Sequence, residues 1–456
     1  MDITISNRLY VYDYTQAAYA WCKENLVLPN PDYFKKEKMG KWTGNTPKEI
    51  VLFEKIGSAA LWLPFGCIYR FMKAFPNTPY KAEFCPLERF YYNSSVNPYE
   101  YQEKAIQAVL RRKNGVLVAP CGSGKTIMGL EIVARIGGRA LWLTHTQDLL
   151  NQSMTRAKSV LGNIGQGTIT EGKVNCGDGI TFATVQTLSK IDLTEHRDYW
   201  DVIICDECHH AAGSPTKVTQ FYKVLSNLKA RYKIGLTATP KRADGLEESM
   251  FALLGDIIYE VKKEDVAYTT CPVKVQTVQT GYVPDYDMIL LGDGTINYME
   301  LINQLVTDES RFRFVLDYIN ELTGTMIVFG NRVDYLKKLS EEFKGRSVCL
   351  SGMGQSKAAK NERKDALEKL NAGELDAVFA TYQLGREGLD CPSLQYVVFA
   401  TPEKDESTVQ QASGRVARKA EGKEYGTIID FVDNFGMYKG WAKKRTTVYK
   451  KLGYKC

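Results

Sequence analysis

Beyond about residue 97, short apolar runs alternate with longer amphipathic stretches. GVLVA and ALWLT are each followed by a stretch with helical spacing, DVIIC is followed by a turn, and YKIGLT ends the series. Such alternation is typical of a parallel sheet with crossover helices. The pattern therefore predicts an α/β unit, which we assign to residues 93–263.

The same pattern begins again after a stretch near residues 255–275. Its apolar runs are TMIVFG, RSVCL, DAVFAT and YVVFA, and helical segments separate them. This second series predicts another α/β unit in tandem, over residues 264–440. Neither a short-period repeat nor a low-complexity linker interrupts the two units.

The first 92 residues lack this alternation and are rich in aromatic side chains. Basic residues lie among the rings, namely Lys35, Lys36, Lys38 and Lys41. Rings mixed with lysines are expected where bases stack or where a duplex end is propped open. We predict a small accessory DNA-binding domain over residues 1–92, and the alternative for any single ring is a place in the core of that domain.

The overall composition is that of an ordinary folded protein. Hydrophobic residues make up 44% of the 456 residues and charged residues 25%, and the length has room for roughly three domains. A net charge of +6 is too small on this length to indicate nucleic acid by itself. Seven basic residues and no acidic one lie between 436 and 456. We expect residues 441–456 to form a basic tail that either neutralises phosphates or is a solvated terminus.

The lack of a recognisable targeting signal and the pattern of cysteines lead us to expect a reducing compartment. No apolar run approaches the ~18 residues of a membrane span, and MDITISNRLY lacks the layout of a signal peptide. We expect a cytoplasmic protein, in the host cytoplasm if the chain is viral, without a membrane partner. The eleven cysteines are scattered, and the one CxxC pair is Cys205 and Cys208. Because Cys205 ends an apolar run, a core position is favoured over a metal site.

A glycine-rich segment, APCGSGKT, follows the first apolar run. In such a turn, backbone N–H groups surround the β-phosphate, Lys125 reaches the β- and γ-phosphates, and the Thr126 hydroxyl binds Mg²⁺. Ala119 stands where the strict pattern has its first glycine. We predict ATP and Mg²⁺ as cofactors, with loop contacts from Pro120, Cys121, Gly122, Ser123, Gly124, Lys125 and Thr126.

Two acidic residues, Asp206 and Glu207, follow the run DVIIC. Ligands of open α/β sheets bind at the carboxyl ends of strands. Asp206 would hold Mg²⁺ and Glu207 would polarise the attacking water, because phosphoryl transfer depends on positioning and charge neutralisation. The alternative for an acidic pair at a strand end is a helix cap.

The second unit contains the segment VQQASGRVAR, with Gln411, Arg415 and Arg418. Two guanidinium groups three residues apart on a helix could both face a γ-phosphate held by the other unit. We therefore predict that Lys125 and this arginine pair grip one triphosphate. The cleft would close with ATP and relax after hydrolysis.

The order of APCGSGKT, DECH, TATP, ATYQLGREGLD and QQASGRVAR resembles the motif series of superfamily 2 helicases of the DExH type. The resemblance covers about residues 97–435. It implies an ATP-hydrolysing enzyme of α/β class, with two tandem RecA-like lobes that have parallel sheets and a small N-terminal accessory domain.

The same resemblance implies roles for further residues. Gln102 would read the adenine edge, Asp390 would lie near the ribose, and His209 would meet Gln411 of the opposite lobe. The motif that couples hydrolysis to nucleic-acid binding matches Thr237, Ala238 and Thr239. Positions that touch the phosphate backbone match Thr144, Thr184, Gly352 and Thr381, for which ordinary strand-end residues are the alternative.

Within the superfamily, the motifs look more similar to DNA translocases of the XPB and UvsW sort than to DEAD-box RNA helicases. The aromatic N-terminal region is most similar to phage UvsW-type branch-migration helicases. This implies a DNA helicase that remodels forks and four-way junctions, with 3′–5′ travel, in replication, recombination or repair. Arg332 departs from the smaller residue often found there, so its contact is left unassigned.

Three alternatives keep the motifs but change the function. One is an RNA helicase, and another is the duplex DNA translocase motor of a restriction or remodelling complex. The third is an ATP-gated nucleic-acid clamp without hydrolysis, against which the presence of Glu207, Arg415 and Arg418 argues.

Overall fold

The structure is a computed structural model of the 456-residue chain. It describes residues 1–87, 89–120, 122–162, 165–170, 173–214, 218–241, 245–266, 270–292, 294–350, 357–386 and 391–456. These form two compact units, one with residues 1–120 and 124–262, the other with residues 122–123 and 263–456. Within the described ranges no helix has the length and apolar character of a membrane span.

The amino-terminal part of the first unit is built on a five-stranded sheet. Its elements are β1 (Asp2–Ile5), β2 (Leu9–Tyr12), α1 (Gln16–Asn25), β3 (Val27–Pro29), α2 (Pro31–Lys38), β4 (Glu49–Val51), β5 (Glu54–Ile56), β6 (Ala60–Leu63), α3 (Ile68–Ala74) and β7 (Tyr80–Ala82). The strand order is β5-β6-β2-β1-β7, and only β1 and β7 pair in parallel. Strands β3 and β4 form a separate antiparallel ribbon.

Some of the aromatic rings of this part lie in its core, as the alternative interpretation expected. Phe65 and Phe71 are buried with Leu9 and Val11 of β2. Trp42 is the opposite case, with 87% of its surface exposed. A place in the core therefore explains some of the aromatic rings but not Trp42.

The amino-terminal part packs directly on the α/β part of the first unit. Leu246 and Ala252 of the α/β part belong to the same apolar cluster as β1 and β2. Gly66 lies so close to Gly255 that a Cβ added to Gly66 would be 2.3 Å from the Gly255 nitrogen. Residues 1–87 are thus joined to the first α/β part within one compact unit.

The α/β part of the first unit has an eight-stranded sheet. Its elements are α4 (Glu100–Arg112), β8 (Asn114–Val118), α5 (Lys125–Ile136), β9 (Ala140–Thr144), α6 (Gln147–Leu161), β10 (Gly167–Thr170), β11 (Lys173–Asn175), β12 (Ile180–Thr184), α7 (Val185–Leu188), β13 (Val202–Asp206), α8 (Gln220–Asn227), β14 (Tyr232–Thr237), α9 (Glu247–Leu254) and β15 (Ile257–Glu260). The strand order is β11-β10-β12-β9-β13-β14-β8-β15, and all pairs are parallel except β10 with β11.

The predicted strands of this sheet are confirmed as its centre. Every residue of β8, β9 and β13 is buried, as expected for strands covered on both faces. The strands β10, β11, β12 and β15 were not predicted. They widen the sheet on both sides of the four predicted strands.

The second unit has a six-stranded, wholly parallel sheet of order β16-β21-β20-β17-β19-β18. Its elements are α10 (Lys263–Val266), β16 (Val273–Gln279), α11 (Tyr286–Ile289), α12 (Tyr298–Thr307), α13 (Glu309–Asn320), β17 (Met326–Gly330), α14 (Val333–Glu342), β18 (Ser347–Leu350), α15 (Lys357–Asn371), β19 (Ala377–Thr381), α16 (Tyr382–Arg386), β20 (Tyr396–Phe399), α17 (Glu406–Gly414), β21 (Gly426–Val432) and α18 (Gly436–Lys451). The four predicted strands are β17 to β20, and β16 and β21 were not predicted.

The basic carboxyl-terminal segment is mostly a packed helix. α18 buries Trp441, Arg445 and Tyr449, and the Arg445 guanidinium lies 2.7 Å from Asp430 of β21. Arg445 therefore neutralises a buried carboxylate, whereas neighbouring Lys443 and Lys444 are exposed. The segment predicted as a tail thus contains both core and surface residues.

Candidate active site

Four strand ends meet at one edge of the first α/β sheet. The order β9-β13-β14-β8 places neighbouring parallel strands side by side, so their carboxyl ends lie together. The residues at or just after these ends are Thr144, Asp206 and Glu207, Thr237, and the glycine-rich loop. The sheet thereby gathers side chains from four distant segments of sequence.

The glycine-rich loop leads into the amino terminus of α5. Gly124 precedes the helix with a φ of 78°, a conformation that favours glycine. Lys125 and Thr126 are the first two residues of the helix, and Lys125 Nζ lies 3.5 Å from the Ala119 carbonyl oxygen. The first-turn N–H groups and the lysine are suited to bind an anion such as a phosphate. Cys121 lies outside the described residues.

Gln102 lies directly beside this loop. It is the third residue of α4, and its Oε1 accepts a hydrogen bond of 3.0 Å from the Tyr99 N–H in a capping box. A Cβ added to Gly124 would be 2.7 Å from Gln102 Nε2. The helix cap thus fixes the carboxamide next to the loop, and the contact of Gln102 with the adenine edge stays a prediction.

Glu207 is held between two basic side chains. Its backbone has a φ of 49°, which is uncommon outside glycine. Glu207 Oε1 lies 3.9 Å from Lys125 Nζ, and Glu207 Oε2 lies 3.4 Å from His209 Nδ1. The turn after β13 therefore directs this carboxylate toward the loop lysine.

The two acidic residues have opposite pKa shifts. Burial, and then the charge of Glu207, raise the pKa of Asp206. Burial also opposes ionisation of Glu207, but the charge of Lys125 and the contacts with His209 outweigh it and lower the pKa of Glu207. Glu207 is thus ready to act as an anion, while Asp206 would be stabilised in its charged form by a cation.

The TATP segment reaches the same carboxylate through His209. His209 Nδ1 lies 3.1 Å from Thr237 Oγ1. Thr237 Oγ1 in turn accepts a hydrogen bond of 3.1 Å from the Thr239 N–H, with Ala238 between them. His209 therefore touches both Glu207 and the TATP segment, and any contact between His209 and Gln411 stays a prediction.

A row of histidines along the same edge was not predicted. The ring centroid of His210 lies 4.2 Å from that of His209 and 4.3 Å from that of His145. Gln186 Nε2 donates to the His145 carbonyl at 2.7 Å. The row of histidines extends the site from β14 to α7. In the sequence, the doubled histidine of DECHH was the one feature that could have indicated this row.

The predicted phosphate-backbone threonines lie at strand ends, as expected, and two of them have local partners. Thr144 Oγ1 donates to the Thr146 carbonyl at 2.9 Å, and Thr184 caps α7 through the Thr187 N–H. Thr381 ends β19 and is largely buried. Gly352 lies outside the described residues. A nucleic-acid role for these positions stays a prediction.

One geometric expectation about the second unit is wrong. Arg415 and Arg418 do not share a helix, because α17 ends at Gly414, a residue with low helix propensity. Arg415 follows in a turn and donates to the Gly385 carbonyl at 3.2 Å, while Arg418 forms a β-bridge with Thr270. Gln411 lies in the last turn of α17, and Asp390 lies outside the described residues.

Two family models match the chain. Residues 95–242 match the model described as Type III restriction enzyme, res subunit. Residues 310–420 match the model described as Helicase conserved C-terminal domain. The two matches fall on the first and the second α/β unit respectively.

Curated relatives are distant but span most of the chain. A putative ATP-dependent RNA helicase of Acanthamoeba polyphaga mimivirus is 27% identical, covering 81% of this chain and 70% of the relative. The DNA 3′-5′ translocase XPB2 of Sulfurisphaera tokodaii is 24% identical, covering 71% of this chain and 79% of the relative. The two names differ in the nucleic acid on which each protein acts.

A solved structure supports the fold. The ATP-dependent Type ISP restriction-modification enzyme LlaBIII bound to DNA superposes with a TM-score of 0.58 at 18% identity. The match covers 79% of this chain and 30% of that enzyme. The predicted α/β class with two RecA-like lobes is thereby confirmed.

Proposed function

Because the chain belongs to the superfamily 2 helicases, enzymes that hydrolyse ATP and act on nucleic acid, we propose that it is a DNA helicase that remodels forks and four-way junctions. The observation that carries the proposal is the position of Glu207. This carboxylate lies between Lys125 of the phosphate loop and His209, which also touches Thr237. Hydrolysis and its coupling to a nucleic-acid track would start from this contact.

The first step is binding of ATP and Mg²⁺ at the strand edge. The first turn of α5 and Lys125 would hold the phosphates. Thr126 and Asp206 would hold Mg²⁺, which would neutralise phosphate charge during transfer. Hydroxyl and carboxylate oxygens are donors that Mg²⁺ prefers, and the buried Asp206 carboxylate fits a cation.

The second step is attack by water on the γ-phosphate. Glu207 would accept a hydrogen bond from that water, orient it, and take its proton as the bond to the γ-phosphorus forms and the bond from that phosphorus to the β–γ bridging oxygen breaks, so that ADP and phosphate are released. Lys125 and the contact with His209 keep the carboxylate ionised. From the motif alone, Arg415 and Arg418 would stabilise the γ-phosphate charge from the second lobe.

The choice of DNA over RNA rests on two supports. The motif pattern looks more similar to DNA translocases, and a relative is named a DNA 3′-5′ translocase. A relative named as an RNA helicase favours the second candidate, an RNA helicase with the same catalytic residues. The preference for branched substrates and the 3′–5′ direction rest on similarity to UvsW-type and XPB-type enzymes.

One set of assays tests the proposal. ATPase activity and strand separation would be measured on a four-way junction, a fork, blunt duplex DNA and duplex RNA, with Lys125→Ala as the inactive control. We expect the junction and the fork to stimulate hydrolysis most and to be separated. Stronger stimulation by RNA would favour the RNA helicase, and hydrolysis on plain duplex without separation would favour a translocase motor.

A further inference from the structure

An ordered segment projects from the amino-terminal part between β3 and β4. This segment, residues 31–48, is called the finger below. None of the eight residues of its helix α2 is buried. The ribbon of β3 and β4 closes its base, with Pro29 opposite Glu49.

Hydrogen bonds of Asn30 hold the two ends of the finger together. Asn30 is 3% exposed. Its Nδ2 donates to the Pro47 carbonyl at 2.7 Å, and its backbone N–H donates to the Lys48 carbonyl at 2.9 Å. Its Oδ1 accepts from the Asp32 N–H at 3.1 Å and caps α2. One buried side chain thus fixes both the entry and the exit of the finger.

Further hydrogen bonds order the rest of the finger without a core. Lys36 Nζ donates to Thr46 Oγ1 at 2.7 Å, and the Lys41 N–H donates to the Lys36 carbonyl at 2.9 Å. Ordering residues costs conformational entropy, which burial of apolar surface normally offsets. No side chain of α2 is fully buried. Its order is therefore better explained by presentation of side chains to a ligand than by folding of the domain.

The finger presents a tryptophan to solvent. Trp42 is 87% exposed, and flanking Met39 and Phe34 are 57% and 40% exposed. One edge of the indole rests on Gly44, since a Cβ added there would lie 2.8 Å from Trp42 Cζ3. Gly44 also has a φ of 49°. The backbone thus supports the ring while most of its surface stays accessible.

The charge of the finger indicates the chemistry of its ligand. It carries five lysines against two acidic residues, a net charge of +3 out of +6 for the whole chain. An exposed indole beside lysines is suited to nucleic acid. The lysines would neutralise backbone phosphates, and the indole would stack on a base whose face is open. A flat aromatic ring has a partner of the same shape in an unpaired or terminal base.

We infer that the finger docks on the branch point of DNA. Its lysines bind phosphates of a duplex arm, and Trp42 stacks on the base exposed where that arm ends. The inference rests on the proposed function, because it takes DNA as the substrate. It adds the residues that recognise the branch, which the catalytic edge of the first lobe does not supply.

The test compares fork binding with single-strand-stimulated ATPase in the full chain. The variants are Trp42→Ala, Trp42→Phe and a triple Lys35→Gln, Lys38→Gln, Lys41→Gln change, with Tyr91→Ala as matched control. Tyr91 is 89% exposed and lies outside the finger. We expect Trp42→Ala to weaken fork binding and fork separation about 10-fold, as loss of one stacked base would. Single-strand-stimulated ATPase should be unchanged, and Trp42→Phe should retain most of the binding.

Salt dependence tests the lysines. The slope of log K against log salt for fork binding should fall by roughly three in the triple variant, about one for each phosphate that is no longer neutralised. An unchanged slope would show that these lysines do not bind phosphates.

Failure of the finger and failure of the proposed function give different results. If the wild type separates forks and Trp42→Ala does so equally well, or Tyr91→Ala is impaired as much as Trp42→Ala, the finger inference is wrong and the proposed function stands. If the wild type acts on no branched DNA, the proposed function fails. The finger is then judged by indole fluorescence, which fork DNA should quench in the wild type but less in Trp42→Phe; equal quenching would overturn the inference.

Discussion

Glu207 combines three constraints at one residue. Its backbone adopts a left-handed conformation, its carboxylate lies 3.9 Å from Lys125, and it also contacts His209. A left-handed residue other than glycine costs about 1 kcal/mol or more. This backbone conformation directs the Glu207 carboxylate toward the phosphate loop. Strain at this position is therefore part of the construction of the site.

Replacing Glu207 by glutamine should separate binding from hydrolysis. The amide keeps the shape but cannot take a proton from water, so we expect hydrolysis to fall by about 100-fold or more. ATP and DNA binding should persist. Steady-state ATPase and nucleotide-binding measurements check this, with Glu24→Gln on the exposed face of α1 as the control. Wild-type turnover in Glu207→Gln would remove Glu207 from the mechanism.

Lys233, in β14, is a buried amine under the amino-terminal part. Its Nζ donates to the carbonyls of Leu225 at 2.7 Å and Asn7 at 3.2 Å. Burial, followed by the charges of Arg8 and Arg197, lowers the pKa of Lys233 to about 7. Unfolding would return this pKa to roughly 10.4.

The lowered pKa predicts a stability change with pH. Between about pH 7 and pH 10 the unfolded lysine holds a proton that the folded one has lost, so stability rises with pH in this window. Lys233→Met should remove this rise, by up to about 1 kcal/mol per pH unit. Urea unfolding at pH 7.5, 8.5 and 9.5 measures it, with the exposed Lys73→Met as control. Parallel pH curves for Lys233→Met and the wild type would refute the assignment.

At the scale of elements, α18 is anchored by a buried ion pair. Arg445 and Asp430 are about 1% and 2% exposed, and Tyr449 Oη also lies 3.2 Å from Asp430. Removing one partner leaves a buried charge without compensation. We expect Arg445→Met to destabilise the second lobe by about 3–5 kcal/mol.

Thermal unfolding of the purified protein measures this effect. Lys444→Met changes an exposed neighbour on the same helix and should leave the transition in place. The double change Arg445→Met with Asp430→Leu should recover much of the loss, because neither charge remains. Equal unfolding temperatures for Arg445→Met and Lys444→Met would contradict the anchoring role.

The strands that could be predicted are those whose sequences are continuously apolar. β8, β9 and β13 are buried on both faces and read as unbroken apolar runs. β21 was missed because Asp430 interrupts the apolar run GTIIDFV. The charge of Asp430 is tolerated in this strand because Arg445 of α18 neutralises it. The polar strand β11, KVN, is wholly exposed and has no pattern at all.

The site shows the same division between local and distant information. Lys125, Asp206 and Glu207 follow strands within short motifs, so their meeting at one sheet edge could be predicted. The contact of His145 with His210 joins segments that are 65 residues apart, and no sequence motif predicts this contact. The end of α17 at Gly414 was missed because the helical expectation was extended through the arginines.

At the scale of the whole molecule, the amino-terminal part and the first lobe form one compact unit, and we expect them to unfold together as a shared folding unit. Leu246 and Ala252 share an apolar cluster with it, and Arg70 pairs with Glu248 and Asp256. The lobe surface beneath is therefore not built to face water. A chain that starts at residue 93 would expose apolar surface together with the buried Lys233.

Truncation to residues 93–456 should lower the unfolding temperature by several degrees or cause aggregation. The matched control removes residues 33–45 alone and joins Asp32 to Thr46 through a short glycine linker, which keeps the Asp32 N–H and the Pro47 carbonyl that bind the buried Asn30 side chain. Because α2 buries no side chain, this control should keep the wild-type transition. Calorimetry compares the three proteins, and an unchanged transition in the truncated chain would disprove the shared folding unit.

β14 connects the two ends of this unit. Its second residue, Lys233, holds Asn7 of the amino-terminal part, and its last residue, Thr237, contacts His209 beside Glu207. At about 3.3 Å per residue, one extended strand of roughly 13 Å separates these two attachments. Mechanical load on the amino-terminal part would thus reach the neighbourhood of the Glu207 carboxylate along a stiff, hydrogen-bonded strand.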